Sequence, residues 1–421
     1  MQNPAMPKWL SCAYWLLFAA LPWSVELAFG SWNLTTPAEP LIAVAGIGLF
    51  FTLVRLQRWP LTGFAWLAAA WIAWQALAAV CSTMPLVSWK YWLVEAGQWW
   101  VFFVGLWLWP ELLPRLVRVL AVSLAGVAVY AIAHHGFYHF RSDQAMLAPM
   151  PFFADHTVYS AVLVLAGFAW IGMASGLFTA EARTGSTPPR LGGQQNISGL
   201  LLPAFFLLAL LLSTSRAAWL SLILAVFAGG WLRFPRKWLG FVLAIALVAG
   251  AGLAFKAKIA AHLAADVSTQ ERLNRYACAL RMAADRPLCG FGPGVFPFRY
   301  LPYQNPAEMT RISIQKPIAK RGPDNYGRGG GAHSEYLQAL AELGWPGLLL
   351  WLALAAGSLF AGMRRYRETR EIAWLWLTLG LLTFFLHGLV NNFLHDSRVA
   401  ALVWGLMAFV VKSRADSLPG E

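Results

Sequence analysis

Residues 327–347, GRGGGAHSEYLQALAELGWPG, combine a run of glycines, one histidine and a short stretch with the composition of a helix. Glycine lets the backbone turn sharply or come close to a ligand, and Gly344 and Pro346 stop the helical pattern. The pattern predicts that His333 lies immediately before a helix start. A histidine with an unperturbed pKa of about 6.5 accepts a proton at neutral pH, so His333 is a candidate general base whose activity falls as the pH drops through that pKa. A purely structural histidine also fits.

Three arginines suggest the kind of ligand on which this histidine would act. Arg216 stands in LLLSTSRAAWLS, where only three residues join two apolar runs, and Arg272 and Arg275 lie three apart on a predicted helix and so project from one face. A guanidinium donates paired hydrogen bonds to phosphate oxygens and keeps its charge, so these side chains are candidate diphosphate ligands. Two other readings stay open. Arg216 could be a structural arginine that snorkels to the interface, and basic side chains could coat anionic lipid headgroups.

The elements that must position these residues belong to a membrane protein. Of 421 residues, 59% are hydrophobic and only 12% are charged, and apolar runs of about 20 residues, the length that a bilayer core of roughly 30 Å requires, recur throughout. We therefore expect an all-α polytopic membrane protein with about twelve transmembrane helices. The predicted spans are 10–28, 38–54, 61–80, 91–109, 116–134, 157–174, 198–212, 217–232, 238–255, 344–362, 372–391 and 398–411.

The positions of Lys and Arg predict the orientation, because cytoplasmic loops hold them in excess. With both termini inside, sixteen basic residues fall on the cytoplasmic side: Lys8, Arg55, Arg58, Arg115, Arg118, Arg183, Arg190, Arg233, Arg236, Lys237, Arg364, Arg365, Arg367, Arg370, Lys412 and Arg414. The short outer connections hold only Lys90, Arg141, Arg216 and Arg398. The other twelve lie in one outer segment, 256–333, against five acidic residues. The net charge of +13 therefore divides into an inner population that orients the chain and an outer population that breaks the topological trend and needs another explanation; no nucleic-acid partner is expected.

The predicted organisation has three parts: helices 1–9 over residues 1–255, a periplasmic catalytic loop with short helices over 256–343, and helices 10–12 with a short cytoplasmic tail over 344–421. No Asp-x-Asp and no acidic cluster occurs in the outer segments, so no metal site is expected. His134, His135 and His139 lack a carboxylate or cysteine at ligand spacing and are expected to be structural. Among the four cysteines, Cys278 and Cys289 share the outer loop, where a disulfide could form.

Three segments together resemble the O-antigen ligase (WaaL) family, within the superfamily that includes O-antigen polymerases and pilin oligosaccharyltransferases. His333-Ser334, nine residues and then GWPG resemble the family motif H-[N/S/Q]-x9-G-x-x-[G/T/Y]. STSRAAWL resembles its Ser-Arg helix start. ERLNRYACALRMAADRPLCGFGPGVF resembles its segment with an arginine, an aromatic residue four positions on and Pro-Leu-x-Gly-x-Gly. Arg272 and Tyr276 form the matching pair, although tryptophan is commoner at the second position.

The resemblance implies a metal-independent inverting glycosyltransferase, without a cofactor, at the periplasmic face of the bacterial inner membrane. It would transfer an O-antigen glycan from undecaprenyl diphosphate to lipid A–core in lipopolysaccharide biosynthesis. The family's roles carry over to Arg216 and Arg272 as diphosphate ligands and to His333 as the base. Arg275 matches no fixed position of the motif, so its assignment to the diphosphate site rests on its spacing from Arg272.

Rival functions remain at this stage. An O-antigen polymerase or a protein O-oligosaccharyltransferase would use the same donor; protein-glycosylating members often append a soluble C-terminal region, and only about nine residues follow the last predicted span. A lipid or solute transporter is the rival of another class. We would expect it to carry charged or helix-breaking residues deep in several spans, whereas the central spans here are nearly free of them.

Overall fold

The computed structural model describes residues 5–29, 32–56, 63–175, 198–234, 266–305, 307 and 330–412. Most of these residues are helical. In chain order the helices are α1 Lys8–Ala20, α2 Ala38–Leu56, α3 Phe64–Val80, α4 Pro85–Gln98, α5 Leu113–Phe137, α6 His156–Ala174, α7 Ser198–Leu212, α8 Arg216–Arg233, α9 Val267–Asp285, α10 Glu335–Thr369, α11 Ile372–His387 and α12 Ser397–Lys412. A π-helix, Trp99–Gly105, and one further turn, Leu106–Leu108, continue α4.

The helices agree in kind with a polytopic membrane protein. Within the described part of the chain, four helices are long and apolar enough to cross a bilayer: Ala38–Leu56, Pro110–Phe137, His156–Ala174 and Glu335–Thr369. Shorter apolar helices are Phe64–Val80, Gly199–Leu212 and Ile372–His387. The predicted span 238–255 lies outside the described residues, and the number of twelve spans stays a prediction.

The first predicted span, 10–28, is wrong at its outer end. Helix α1 ends at Ala20 and gives way to a 3₁₀ turn that contains Pro22. The chain then forms an antiparallel hairpin of β1, Val25–Phe29, and β2, Trp32–Thr36. Proline lacks the N–H that a continuing helix needs, and the alternation of Val25, Glu26 and Leu27 has the period of a strand. The span was predicted from apolar content alone, which does not distinguish the period of a helix from that of a strand.

Helix α11 is buried along most of its length, by the preceding helix and by two helices from distant parts of the sequence. It contacts α6, α8 and α10. Helix α10 in turn contacts α3 and α9, so it connects the apolar bundle to the basic segment that precedes it. A second, smaller apolar cluster joins α9 to residues 291–300 and to the start of α10. Helix α9 is therefore packed onto the bundle through α10.

Several connections meet at one end of the bundle, which we call the site face: residues 81–84, 138–155, 213–216, 266–305 and 388–398. The Thr83 amide donates to the Phe291 carbonyl (3.1 Å) and the Glu335 amide to the Gly388 carbonyl (2.8 Å). The Arg398 guanidinium bonds the Phe152 carbonyl. The connections to which the charge pattern assigned the outer side thus contact one another directly.

Candidate active site

The backbone of His333 is fixed from three directions. Its amide donates to Oδ1 of Asn392 (3.1 Å), and its carbonyl accepts from the hydroxyl of Tyr276 (3.1 Å). The preceding amide, that of Ala332, donates to Oε1 of Gln338 (2.6 Å). Both bonds of His333 itself use its backbone. His333 is half-buried: part of its surface is open to a substrate, while its ring lies mostly among protein groups.

Helix α10 begins directly after this histidine, as the sequence predicts. Ser334 is the N-cap, and its hydroxyl accepts from the Leu337 amide (3.4 Å). The predicted stop appears as a kink at Gly344, which has φ 70° and ψ −171°, after which the helix continues to Thr369. A Cβ at Gly344 would lie 2.1 Å from the carbonyl oxygen of Leu288. Only glycine fits both this conformation and this close approach.

The Arg275 guanidinium is committed to other groups of the protein. It is buried, its Nε lies 3.1 Å from Oε1 of Glu271, and its Nη1 donates to the carbonyls of Gly330 (2.6 Å) and Gly331 (3.0 Å). Its Cζ lies 4.9 Å from the ring centroid of Tyr300. These contacts tie α9 to the glycine run that leads into His333. The arrangement suits a side chain that positions the loop.

Arg272, one turn away on the same helix, differs from Arg275 in its hydrogen bonding. Its Nε is buried and has no hydrogen-bond partner among the residues that the structure describes. Its charge acts on His333, Tyr276 and Asp266. A buried charged donor without a partner is costly, so this site is well suited to a bound anion next to His333.

Arg216 reaches the same region from α8. It is the first residue of that helix, its side chain is 75% exposed, and its Nη1 lies 3.5 Å from Oδ2 of Asp266. The Thr269 hydroxyl, followed by the charges of Arg216 and Arg272, lowers the pKa of the Asp266 carboxyl. The charges of both arginines therefore act on one carboxylate. The amino end of a helix adds a partial positive charge there.

The surroundings of His333 lower its pKa below the ordinary value that the sequence analysis assumed. Burial first, and then the charges of Arg275 and Arg272, lower its pKa to about 4; Asp155 and Glu271 act in the opposite direction. Burial and neighbouring cations both disfavour the imidazolium form. His333 is thus neutral across the physiological range, and the expected fall in activity near pH 6.5 moves to a lower pH.

A comparison with protein families agrees with this geometry. Residues 201–352 match the family described as O-antigen ligase. This part of the chain is similar to the O-antigen ligase superfamily, and we call residues 201–352 the O-antigen ligase domain. The domain contains Arg216, Arg272 and His333, and the superfamily comprises O-antigen ligases with related polymerases and oligosaccharyltransferases, which are glycosyltransferase-like membrane enzymes. No curated protein matches the chain.

Residues outside the O-antigen ligase domain also reach the site, and the sequence did not reveal them. Asn392 holds the His333 amide. The charge of Arg272 acts on His156, which follows the N-cap Asp155 at the start of α6, and on His387 at the end of α11. Nε2 of His387 is buried and lacks a hydrogen-bond partner in the described part of the chain. No spacing relates these positions to His333 in the sequence.

Two glutamates of the domain anchor neighbouring loops. Oε1 of Glu335 accepts from the amides of Phe393 (2.6 Å) and Leu394 (2.7 Å). The carboxylate of Glu342 accepts from the amides of Gly294 (2.9 Å) and Phe296 (2.8 Å). The helix that follows His333 thereby holds both flanks of the site.

Two of the three other histidines of the sequence analysis contact backbone carbonyls. Nδ1 of His134 lies 3.0 Å from the Ala148 carbonyl, and Nε2 of His135 lies 2.9 Å from that of Arg141. These contacts fit the structural role expected for them. Within the described ranges, no group of three His, Cys, Asp or Glu side chains is arranged to hold a metal ion.

Proposed function

We propose that the protein is an O-antigen ligase of the bacterial inner membrane. It transfers a preassembled glycan from undecaprenyl diphosphate to a sugar hydroxyl of lipid A–core, with both termini in the cytoplasm and the site face in the periplasm. The O-antigen ligase domain supports action on a lipid-linked glycan. The predicted distribution of Lys and Arg supports the orientation.

One observation carries the proposal: an arginine with an unpartnered buried Nε acts on a neutral histidine. Arg272 offers the donor group and charge that a diphosphate requires. His333 has a pKa lowered to about 4, so it is unprotonated and able to accept a proton. Glycosyl transfer from a diphosphate needs a group that binds the leaving anion and a base that accepts the proton of the acceptor hydroxyl, and these two residues supply both.

The chemistry follows from these two groups. Arg272 and Arg216 bind the diphosphate and stabilise the negative charge that develops on it as it leaves. His333 takes the proton of the acceptor hydroxyl while that oxygen attacks the anomeric carbon from the face opposite the leaving group. The new glycosidic bond forms as the bond to the diphosphate oxygen breaks, so the configuration inverts. The imidazolium then returns its proton to solvent.

Transfer by the purified protein in proteoliposomes tests these roles. We expect Arg272→Ala to lose about 10²-fold or more in transfer, the usual cost of removing one such donor, and Arg272→Lys to recover only part, because lysine lacks the bidentate fork. Arg141→Ala is the matched control, since Arg141 is exposed and pairs with Asp143. Full activity of Arg272→Ala would contradict the proposal.

A deletion strain distinguishes the ligase from its nearest rival. If the protein is a ligase, all long chains disappear from lipid A–core while polymer accumulates on the carrier lipid. A polymerase would instead leave single repeats attached to the core.

The proposed mechanism is metal-independent because arginines neutralise the leaving group. Transfer is therefore expected to persist in excess EDTA. Activity that disappears in EDTA and returns with Mg²⁺ or Mn²⁺ would show that a metal takes part.

A further inference from the structure

Two cysteines that lie far apart in the sequence are neighbours on the site face. Cys81 caps the C-terminal end of α3 and is exposed, whereas Cys289 lies partly buried in the turn after α9. Their thiols are within hydrogen-bonding reach of each other. Both are present as thiols in the structure.

Backbone contacts hold the two segments together independently of the thiols. Two residues after Cys81, the Thr83 amide donates to the carbonyl of Phe291, which is two residues after Cys289 (3.1 Å). The Ser82 hydroxyl donates to the same carbonyl (3.1 Å). The proximity of the cysteines is thus built into the packing of the turn at 81–84 against the loop at 286–294.

Cys278, the other cysteine of this region, has a different environment. It is fully buried in the cluster beneath α9, and its Sγ lies 3.7 Å from Oδ1 of Asn274. The partner that the structure offers to Cys289 is therefore Cys81, and the pairing with Cys278 considered from the sequence is not the one it favours.

We propose that Cys81 and Cys289 form a disulfide in the mature protein. The inference rests on the proposed periplasmic side of the site face, because that compartment is oxidising. The oxidant is a disulfide-bearing protein or small molecule. The more exposed thiolate, Cys81, attacks one oxidant sulfur and displaces the other as a thiol. Cys289 then attacks the mixed disulfide, so that two protein thiols become one disulfide and one oxidant disulfide becomes two thiols.

The bond would brace the helix that carries the candidate base. In the loop after Cys289, the Phe291 amide donates to the Ala341 carbonyl (3.0 Å) and the Gly292 amide to the Glu342 carbonyl (2.9 Å). The Trp345 amide donates back to the Pro287 carbonyl (2.8 Å). The loop thus supports the N-terminal part of α10, between His333 and the kink. A covalent link from this loop to α3 fixes that part against the bundle.

Thiol counting tests the proposal without any measurement of transfer. Membranes are quenched in acid, denatured, and labelled with a maleimide that adds a resolvable mass, before and after reduction. The wild type is expected to take two labels before reduction and four after it. Cys81→Ser and Cys289→Ser are each expected to take three labels without reduction, because the released partner becomes reactive.

Cys278→Ser is the matched control and separates the two pairings. With the proposed disulfide it takes one label before reduction and three after it. If Cys278 were instead bonded to Cys289, this variant would take three labels without reduction, and Cys81→Ser only one. Four labels on the unreduced wild type would also overturn the proposal. A loss of transfer activity in any variant leaves these counts unchanged, so failure of the proposed function and failure of the disulfide are distinguishable.

A second readout addresses the bracing role. Reductant is expected to lower the thermal unfolding midpoint of the purified wild type and to leave that of the Cys81→Ser/Cys289→Ser double variant unchanged. Equal shifts in both proteins would show that the bond does not brace the fold.

Discussion

His333 stays neutral because burial and two arginines oppose its protonation, and this gives a pH dependence with a definite sign. Its pKa is lowered to about 4, so the active neutral form persists as the pH falls and is lost only when the pH passes through that value. We expect kcat/KM, which reports the free enzyme, to stay level from about pH 8 to 5 and to fall near pH 4. Recovery after return to pH 7 excludes unfolding. An inflection near pH 6.5 in kcat/KM would contradict this assignment.

A bound diphosphate changes the balance, because its negative charge offsets that of Arg272. The imidazolium becomes less unfavourable in the donor complex, so kcat, which reports that complex, should fall at a higher pH than kcat/KM. His333→Gln tests the base role itself. If His333 only positions the acceptor, the glutamine variant should retain substantial activity.

Arg275 and Arg272 lie three residues apart but make different contacts, and kinetics can separate them. Arg275→Lys keeps the charge but places all its donors on one nitrogen, whereas Arg275 reaches Glu271 through Nε and two carbonyls through Nη1, so we expect the His333 loop to shift. We expect a fall in kcat of about 10²-fold, typical of a misplacement of about 1 Å, with the donor KM nearly unchanged. Arg272→Lys should instead raise the donor KM. A similar rise in donor KM for both variants would assign Arg275 to the diphosphate, as its spacing first suggested.

The sequence contained part of this distinction but not the whole. The position of His333 before a helix follows from glycines, a capping serine and a helical composition, all of which are local. Arg275 faces the glycine run, whereas the Nε of Arg272 has no hydrogen-bond partner among the described residues. This difference depends on how α9 packs on α10, which is tertiary. The contributions of Asn392, His156 and His387 come from helices far along the chain, so no local pattern could indicate them.

At the scale of elements, the break in α10 at Gly344 carries a prediction. Its φ of 70° is unfavourable for any residue with a Cβ, and that Cβ would meet the Leu288 carbonyl oxygen at 2.1 Å. Gly344→Ala must therefore displace either the kink or the loop at 286–290, and we expect a destabilisation of more than about 1 kcal/mol. A lower thermal midpoint and loss of transfer would be measured together.

Gly199→Ala in α7 is the matched control, since nothing lies within 4 Å of a Cβ built there. Alanine exceeds glycine in helix propensity by up to about 1 kcal/mol, so this variant should be as stable as the wild type or more so. Equal stability of the two variants would show that the kink tolerates a side chain.

The helical spans were predictable because lipid imposes length and apolarity on any segment that crosses it. Helix α6 and helix α7 begin within one residue of their predicted spans. The hairpin of β1 and β2 was not predicted from hydropathy. The apolar residues that follow α1 extend the hydrophobic signal, while their period changes from that of a helix to that of a strand. Hydropathy registers the first property and is insensitive to the second.

For the whole molecule, the net charge of +13 divides into a population predicted to orient the chain and a population in the predicted outer segment and outer connections. The first consists of the basic residues predicted to be cytoplasmic, and it includes Arg364 and Arg365 near the C-terminal end of α10. The second includes Arg216, Arg272 and Arg275, all on the site face. Insertion and, in the proposed function, binding of the donor diphosphate by Arg216 and Arg272 thus place different demands on the same residue types.

This division makes the topology testable in cells. In a background with all four cysteines replaced by serine, Ser313→Cys in the outer segment should react with a membrane-impermeant maleimide once the outer membrane is permeable. Ser186→Cys, in the linker 181–197, should react only after the inner membrane is disrupted, because sixteen basic residues favour retention of that side in the cytoplasm. The same reagent on a C-terminal cysteine, Ser417→Cys, should behave as Ser186→Cys does. Labelling of Ser186→Cys in intact inner membranes would show that the topology is the reverse of the proposed one, with His333 on the cytoplasmic side. Labelling of Ser417→Cys alone would show that the number of spans after α10 differs from the prediction, with the site face still outside.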